Sequence, residues 1–179
     1  MSGEVIIVTG PPAAGKTTVC RILAETASAP TVHLETDLFY RSIRTGFVLP
    51  FLPDAHRQNE VVIEAIVAAV AAYARGGYDV IVDGIVGPWF LPPFRALADH
   101  GGPTVSYVVL RPDLATTVSR AKQRVGDELK DLDAITGLHG AFSDIGDLEQ
   151  YTIDTGGLNP NQTADRTRLL LATGTHRLT

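Results

Sequence analysis

Short, nearly continuous apolar runs alternate along the chain with segments whose apolar residues recur at helical spacing. Val5-Ile6-Ile7-Val8 is β-branched throughout, and after a glycine-containing loop Val19, Ile22 and Leu23 are spaced to share one helix face. This predicts strand, loop, helix. Further strands are expected at 31–34, 78–82, 104–110 and 151–153. The runs at 78–82 and 104–110 lack in-and-out alternation, as strands buried on both faces do. Helical patterns cover 54–75, with Gly76-Gly77 as the stop signal, and then 112–125, 131–142 and 163–172. The charged stretch 126–131 reads as a surface flap, and 156–160, Gly-Gly-Leu-Asn-Pro, as a turn. Regular alternation of strand and helix implies an α/β fold. Its parallel sheet is covered on both faces, and ligands sit at the carboxyl ends of the strands.

Length and composition narrow this picture. With 179 residues, 45% of them hydrophobic, the chain is sized for one domain spanning 1–179, and no repeat or linker divides it. A formal charge of −5 argues against a broad basic face for a nucleic-acid backbone, so no nucleic-acid partner is expected. Cys20 is the only cysteine, so no internal disulfide is expected, and no Cys/His spacing matches a structural zinc site. Residues 1–8 lack the basic and apolar regions of a secretory leader. The longest apolar stretch, 65–74, falls short of the roughly 20 residues that cross a bilayer. The expectation is a cytoplasmic chain with no membrane partner; its oligomeric state leaves no signature.

Gly10-Pro11-Pro12-Ala13-Ala14-Gly15-Lys16-Thr17 has the spacing G-x-x-x-x-G-K-[ST] and lies between the first strand and the first helix, where a phosphate-binding loop must be. Glycines let the backbone curl so that successive amides point inward, and the helix N-terminus adds partial positive charge. Pro11 and Pro12 have no N–H, so the cradle's donors are assigned to Ala13, Ala14, Gly15, Lys16 and Thr17, with Thr18 beside them. Lys16 would reach the β- and γ-phosphates of ATP, and the Thr17 hydroxyl would ligate Mg²⁺. The competing reading is a chance glycine turn before a helix.

Phosphoryl transfer needs carboxylates as well, to orient an attacking hydroxyl and to organise the metal. Asp37, just past the second strand, is the candidate base, with Glu35 as the lesser alternative; otherwise Asp37 simply caps the helix that follows. Asp83 ends the third strand, where a carboxylate holds Mg²⁺ through water; otherwise Asp83-Gly84 is a turn. Arg120 and Arg124, four apart, share a helix face near Lys122 and Lys130, either to neutralise the transferring phosphoryl group or as a solvated helix end. Arg41, Arg44 and Arg57 lie on the acceptor side of the sequence. Trp89, Phe90 and Phe94 either wall an apolar pocket or pack the core. His33 and His139 are given no chemical role.

Taken in order, 10–17, 35–37, 82–84 and the Arg120/Arg124 segment resemble the small P-loop kinases. The layout is similar to that of the chloramphenicol phosphotransferase-like branch with its related ATPases, and to shikimate and gluconate kinases. The resemblance implies a P-loop NTPase three-layer αβα sandwich, a five-stranded parallel sheet of order 2-3-1-4-5, a lid at about 120–142, ATP as donor and a hydroxyl acceptor. It also implies that Asp37 is the base, and that the loop 155–160 lies against adenine together with Arg120. The chain departs from the shikimate kinase pattern in having Glu35 where that family has a first aspartate. The expected activity is transfer of the γ-phosphoryl group of ATP to a small-molecule hydroxyl. Two rivals stand beside it: a nucleotide-binding regulator or slow NTPase, and a zeta-toxin-like kinase of nucleotide sugars.

Overall fold

The computed structural model describes residues 2–123, 129 and 131–178. Arg124 and Lys130, with most of the flap anticipated at 126–131, lie outside the described residues. The elements run in the order β1 (Val5–Thr9), α1 (Lys16–Glu25), β2 (Thr31–Glu35), α2 (Thr36–Arg41), α3 (His56–Arg75), β3 (Asp79–Asp83), α4 (Pro92–Ala98), β4 (Val105–Leu110), α5 (Leu114–Lys122), α6 (Leu132–Ala141), β5 (Thr152–Ile153) and α7 (Pro160–Ala172). The five strands form one parallel sheet of order β2-β3-β1-β4-β5, as the resemblance implied.

Alternation of side chains about the sheet divides the core in two. Val5, Ile7, Val80, Val82, Val105, Tyr107 and Val109 face one layer, where Val62, Ile66 and Val70 of α3 and Phe94 of α4 pack against them. Val8, Ile81, Val108, Leu110 and Ile153 face the other, against Val19, Cys20 and Leu23 of α1 and Ala164 of α7. The chain therefore leaves β1 toward one face, into α1, and leaves β3 toward the opposite face, into α4. Where neighbouring parallel strands diverge in this way a crevice opens beyond their carboxyl ends. Here it lies past Thr9 and Asp83.

Several boundaries differ from expectation for local reasons. The helix expected from residue 163 begins at Pro160: Asn159 accepts from the Gln162 amide at 2.9 Å, and the Gln162 side chain accepts from the Asn159 amide at 2.9 Å. This capping box, with proline at the first helical position, turns an apparent turn into a helix start. Helix α4 was not anticipated because Pro92-Pro93 reads as a breaker, yet proline is tolerated in a first turn whose N–H groups have no acceptor. The strand β5 is only two residues long and covers β4 at Val109 and Leu110 alone. Nearer its start β4 is covered by the chain's last segment, through the Tyr107 amide to the His176 carbonyl and the Leu178 amide to the Val105 carbonyl, each at 2.8 Å.

Arg111, at the exit of β4, makes a two-pronged ion pair with Glu149 at 2.8 and 2.7 Å and also donates to the Phe142 carbonyl. The guanidinium holds the Glu149 carboxyl below its usual range. That contribution is present above about pH 4.3, the unfolded value, and is lost as pH falls through the folded value. Burial also lowers the His176 imidazole, favouring its neutral form; this contribution holds above about pH 6.5 and is lost as pH falls through the lower folded value. Urea midpoints followed with pH should therefore separate the two: the difference between wild type and His176→Phe should change just below neutrality, and that for Glu149→Gln only in acid near and below pH 4. Differences that stay flat with pH would contradict both assignments.

Candidate functional site

The loop leaving β1 is shaped by left-handed backbone at Gly10 (φ 136°), Ala13 (φ 60°) and Gly15 (φ 90°). At Gly10 the demand is double, since a methyl group there would also stand 2.0 Å from the Leu110 carbonyl oxygen. Gly10→Ala is expected to lower stability by about 1–3 kcal/mol from overpacking, measured by urea unfolding, because no backbone shift relieves both faults at once. An unchanged midpoint would contradict this account of the loop. Ala13 accepts its left-handed strain in a buried position, packed with Ala121 of α5 and Ile135 of α6. The segment after β4 is thereby seated on the loop.

Gly15 is the residue before α1 and offers no side chain to cap it, so the first-turn amides of Thr17 and Thr18 have no acceptor within the helix. Such amides, at the positive end of the helix dipole, suit an anion. The Lys16 ammonium bends back over the loop, donating to the carbonyls of Gly10 at 3.0 Å and Pro11 at 2.8 Å. Thr17 and Thr18 are exposed beside it, and Ala14 is buried beneath.

Glu35 and Asp83 are register partners at the ends of β2 and β3. Asp83 belongs to β3 itself, and it is 4% exposed. Gly84 beyond it does not serve a left-handed turn. Its missing side chain admits Thr36, whose Oγ1 would lie 1.9 Å from an added methyl group. The start of α2 thus rests on the end of β3, which fixes Asp37 beside the crevice. Glu35, not Asp37, occupies the position before α2, and it makes no side-chain cap bond. Asp37 sits exposed in the first turn, so the capping reading is not realised. The charge of Asp37 acts on Tyr40, whose phenol is pushed up to about 12, chiefly by burial. Gly84→Ala should push Thr36 and the start of α2 away, costing about 1–3 kcal/mol of stability.

Sequence reasoning missed the immediate partner of Asp83. His33 Nε2 lies 3.1 Å from Asp83 Oδ2, bridging β2 and β3 on one sheet face, and this carboxylate raises the His33 imidazole. Both residues lie at same-face positions of neighbouring strands, a signal readable only after the strand order is known. Asp83 also lies within 4.8 Å of Cys20, three residues past Thr17 and so on its face of α1. A buried carboxylate beside Cys20, which is itself about one helical turn past the exposed Thr17 hydroxyl, offers with that hydroxyl oxygen donors of the kind a hard cation such as Mg²⁺ takes.

Arg120 is brought to the far side of the crevice, where Nη2 donates to the Thr155 carbonyl at 3.2 Å. Arg124 lies outside the described residues. On the side of α2, the Gln58 side chain clasps both the amide (2.9 Å) and the carbonyl (2.7 Å) of Val48, and Asn59 donates to the Pro50 carbonyl at 2.8 Å, which holds the loop 46–52 on α3. Leu38, Phe47, Leu49 and Leu52 remain exposed there, as does Trp89 past β3. Trp89, Phe90 and Phe94 divide: Phe94 is fully buried in the core, while Trp89 is 48% exposed and meets Phe90 and Phe142 by ring contacts. Arg41 and Arg44 are exposed, and Arg57 pairs with Glu60 at 3.3 Å. His139 donates to the Pro112 carbonyl.

Comparison with known proteins agrees with this architecture. Residues 5–142 match the family model described as AAA domain. A gluconokinase from Sinorhizobium meliloti 1021 superimposes with a TM-score of 0.70 at 19% identity, over 97% of this chain and 94% of that one. A sugar kinase from Janibacter sp. HTCC2649 gives 0.68 at 17% identity, over 95% of each chain. The tunicamycin resistance protein of Deinococcus radiodurans gives 0.68 at 20% identity, over 99% of each. No curated protein matches the sequence. No helix among the described residues is long and apolar enough to cross a membrane. At these identities the solved structures speak for the fold; the family match covers the loop, both carboxylate-bearing strand ends and α5, and the chain belongs to the AAA-domain family, built on the fold of the P-loop kinases.

Proposed function

We propose that the chain transfers the γ-phosphoryl group of ATP to a hydroxyl of a small molecule. The observation that carries this reading is a phosphate-shaped loop at the end of β1 with, at the end of the neighbouring strand β3, the start of α2 seated on Gly84 through Thr36 and carrying the exposed Asp37 carboxylate. In this reading Gly10, Ala13, Ala14, Gly15, Lys16, Thr17 and Thr18 hold the triphosphate. The Lys16 ammonium leaves the Gly10 and Pro11 carbonyls to meet the β- and γ-phosphates. Thr17 and Asp83 would hold Mg²⁺, which neutralises phosphate charge when bound. Asp37 orients the acceptor hydroxyl in line with the γ-phosphorus and accepts its proton. Arg120, held at Thr155, suits the nucleoside end of ATP; Arg124 remains the proposed partner of the transferring group.

The exposed apolar side chains at Leu38, Phe47, Leu49, Leu52 and Trp89 favour an acceptor with an apolar body over a small polyanion, since such a body covers surface that otherwise stays in water. The test is ADP formation from ATP and Mg²⁺ across a panel of hydroxylated compounds, with neutral amphiphilic alcohols, sugars, sugar acids and nucleosides as separate arms. Acceptor-dependent ADP in any arm supports the transferase. Equal hydrolysis with and without every acceptor contradicts it.

A further inference from the structure

Behind the phosphate loop, three side chains of different donor type converge between α1 and the edge of the sheet. Cys20 Sγ, a His33 nitrogen and an Asp83 oxygen all lie within 4.8 Å of one another. Cys20 is fully buried, Asp83 is 4% exposed, and the His33 side chain is 18% exposed on the edge strand β2, leaving a way in from solvent. Kinase chemistry gives the thiol no task. Ordinary core packing does not favour a thiol, an imidazole and a carboxylate in one place, because each polar group loses hydration there.

We propose that Cys20, His33 and Asp83 form a binding site for a thiophilic divalent cation of the zinc type, distinct in chemistry from the Mg²⁺ of the nucleotide. Sulfur, imidazole nitrogen and carboxylate oxygen are the donors zinc takes, and three protein ligands leave a fourth position for water. The geometry is nearly in place. Tetrahedral zinc with nitrogen and oxygen at about 2.0–2.2 Å keeps those two atoms roughly 3.4 Å apart, against 3.1 Å between His33 Nε2 and Asp83 Oδ2. Sulfur bound to the same metal stands about 3.6 Å from the nitrogen, within the 4.8 Å that bounds the three donor atoms here. On entry the metal takes the sulfur and Nε2 lone pairs: the S–H bond breaks and its proton passes to solvent, and the Nε2 proton that faces Asp83 Oδ2 passes to solvent from the imidazolium, or through solvent to Nδ1 from the neutral ring, so that the bound imidazole carries its one proton on Nδ1. Because Asp83 is also the carboxylate proposed for Mg²⁺, a cation held here opposes nucleotide chemistry; this consequence, unlike the site itself, rests on the proposed function.

The test uses the whole protein and cobalt(II), then zinc(II), with no nucleotide. Cobalt should give intense tetrahedral visible bands together with a near-ultraviolet thiolate-to-metal band, both displaced by one equivalent of zinc. As Cys20 is the only cysteine, that thiolate band has a single source. Cys20→Ser should abolish it, and His33→Gln should weaken cobalt affinity at least tenfold, both in variants whose circular dichroism matches wild type. Should either variant fail to fold, X-ray absorption at the zinc edge of wild type decides: one sulfur at about 2.3 Å with nitrogen and oxygen near 2.0–2.1 Å supports the site. A shell of nitrogen and oxygen alone would place the metal elsewhere, for instance on the exposed His56–Glu60 pair, whose atoms are 3.2 Å apart, and would overturn the proposal. Lys16→Ala should leave the cobalt spectrum unchanged, so failure of the kinase reading and failure of this site are separately visible.

Discussion

Asp37→Asn should reduce acceptor-dependent turnover by about 10²–10⁴-fold while leaving the affinity for ATP nearly unchanged. That range is what a positioned general base contributes to proton transfer in the transition state. Asparagine keeps the size and one acceptor oxygen of the side chain but has no basic carboxylate, so the acceptor still docks and its proton has nowhere to go. The structure makes the variant informative because Asp37 lies exposed in the first turn of α2 and provides no helix cap, so the loss of one charge there leaves the fold almost untouched. Steady-state kinetics with the best acceptor, with kcat and KM separated, provide the check. Undiminished kcat would remove Asp37 from the chemistry and move attention to Glu35, its neighbour at the end of β2.

Lys16→Ala is expected to lower kcat/KM for ATP by roughly 10²–10³-fold, the usual cost of removing one preorganised group that meets developing charge in a dry site. Unlike Asp37→Asn, the effect should fall on ATP and on catalysis together, since the ammonium touches the phosphates before and during transfer. That ammonium donates to the Gly10 and Pro11 carbonyls of its own loop. Its removal therefore also releases a small local contact, and unfolding midpoints of variant and wild type must be compared alongside the kinetics. A kcat/KM within a factor of a few of wild type would mean that the loop does not serve phosphoryl transfer.

How far the sequence foretold this molecule depends on whether the signal was local. The β1 run, the loop after it and α1 were readable because glycine, lysine and threonine stand at fixed offsets between two periodic patterns. The uniformly apolar runs that became β3 and β4 declared a sheet buried on both sides. Helix starts hidden by proline were harder: at Pro160 and Pro92 the residue that ends helices elsewhere begins one. The capping residues Asn159 and Gln162 follow closely on Gly156-Gly157, so the segment reads as a turn. What no local pattern carried was contact across strands. The pairing of His33 with Asp83, the seat of Thr36 against Gly84 and the tie from Arg111 to Glu149 each join residues 38 to 50 positions apart. They exist because the strand order sets β2 beside β3 and brings the segment before β5 under the end of β4. Of the candidate residues, the loop and Asp83 stand at the ends of the neighbouring strands β1 and β3, Thr36 seats the start of α2 against Gly84, and Arg120 reaches Thr155; the roles given to them are those of the proposal.

The measurement that bears most directly on this account is calorimetric titration of the wild-type protein with ATP, with and without Mg²⁺, beside adenosine. One binding site, tightened by Mg²⁺ and nearly lost with adenosine, is the predicted result, because the curled backbone and the α1 N-terminus address the phosphates. Absence of Mg²⁺-dependent affinity for ATP or any other nucleoside triphosphate would contradict it.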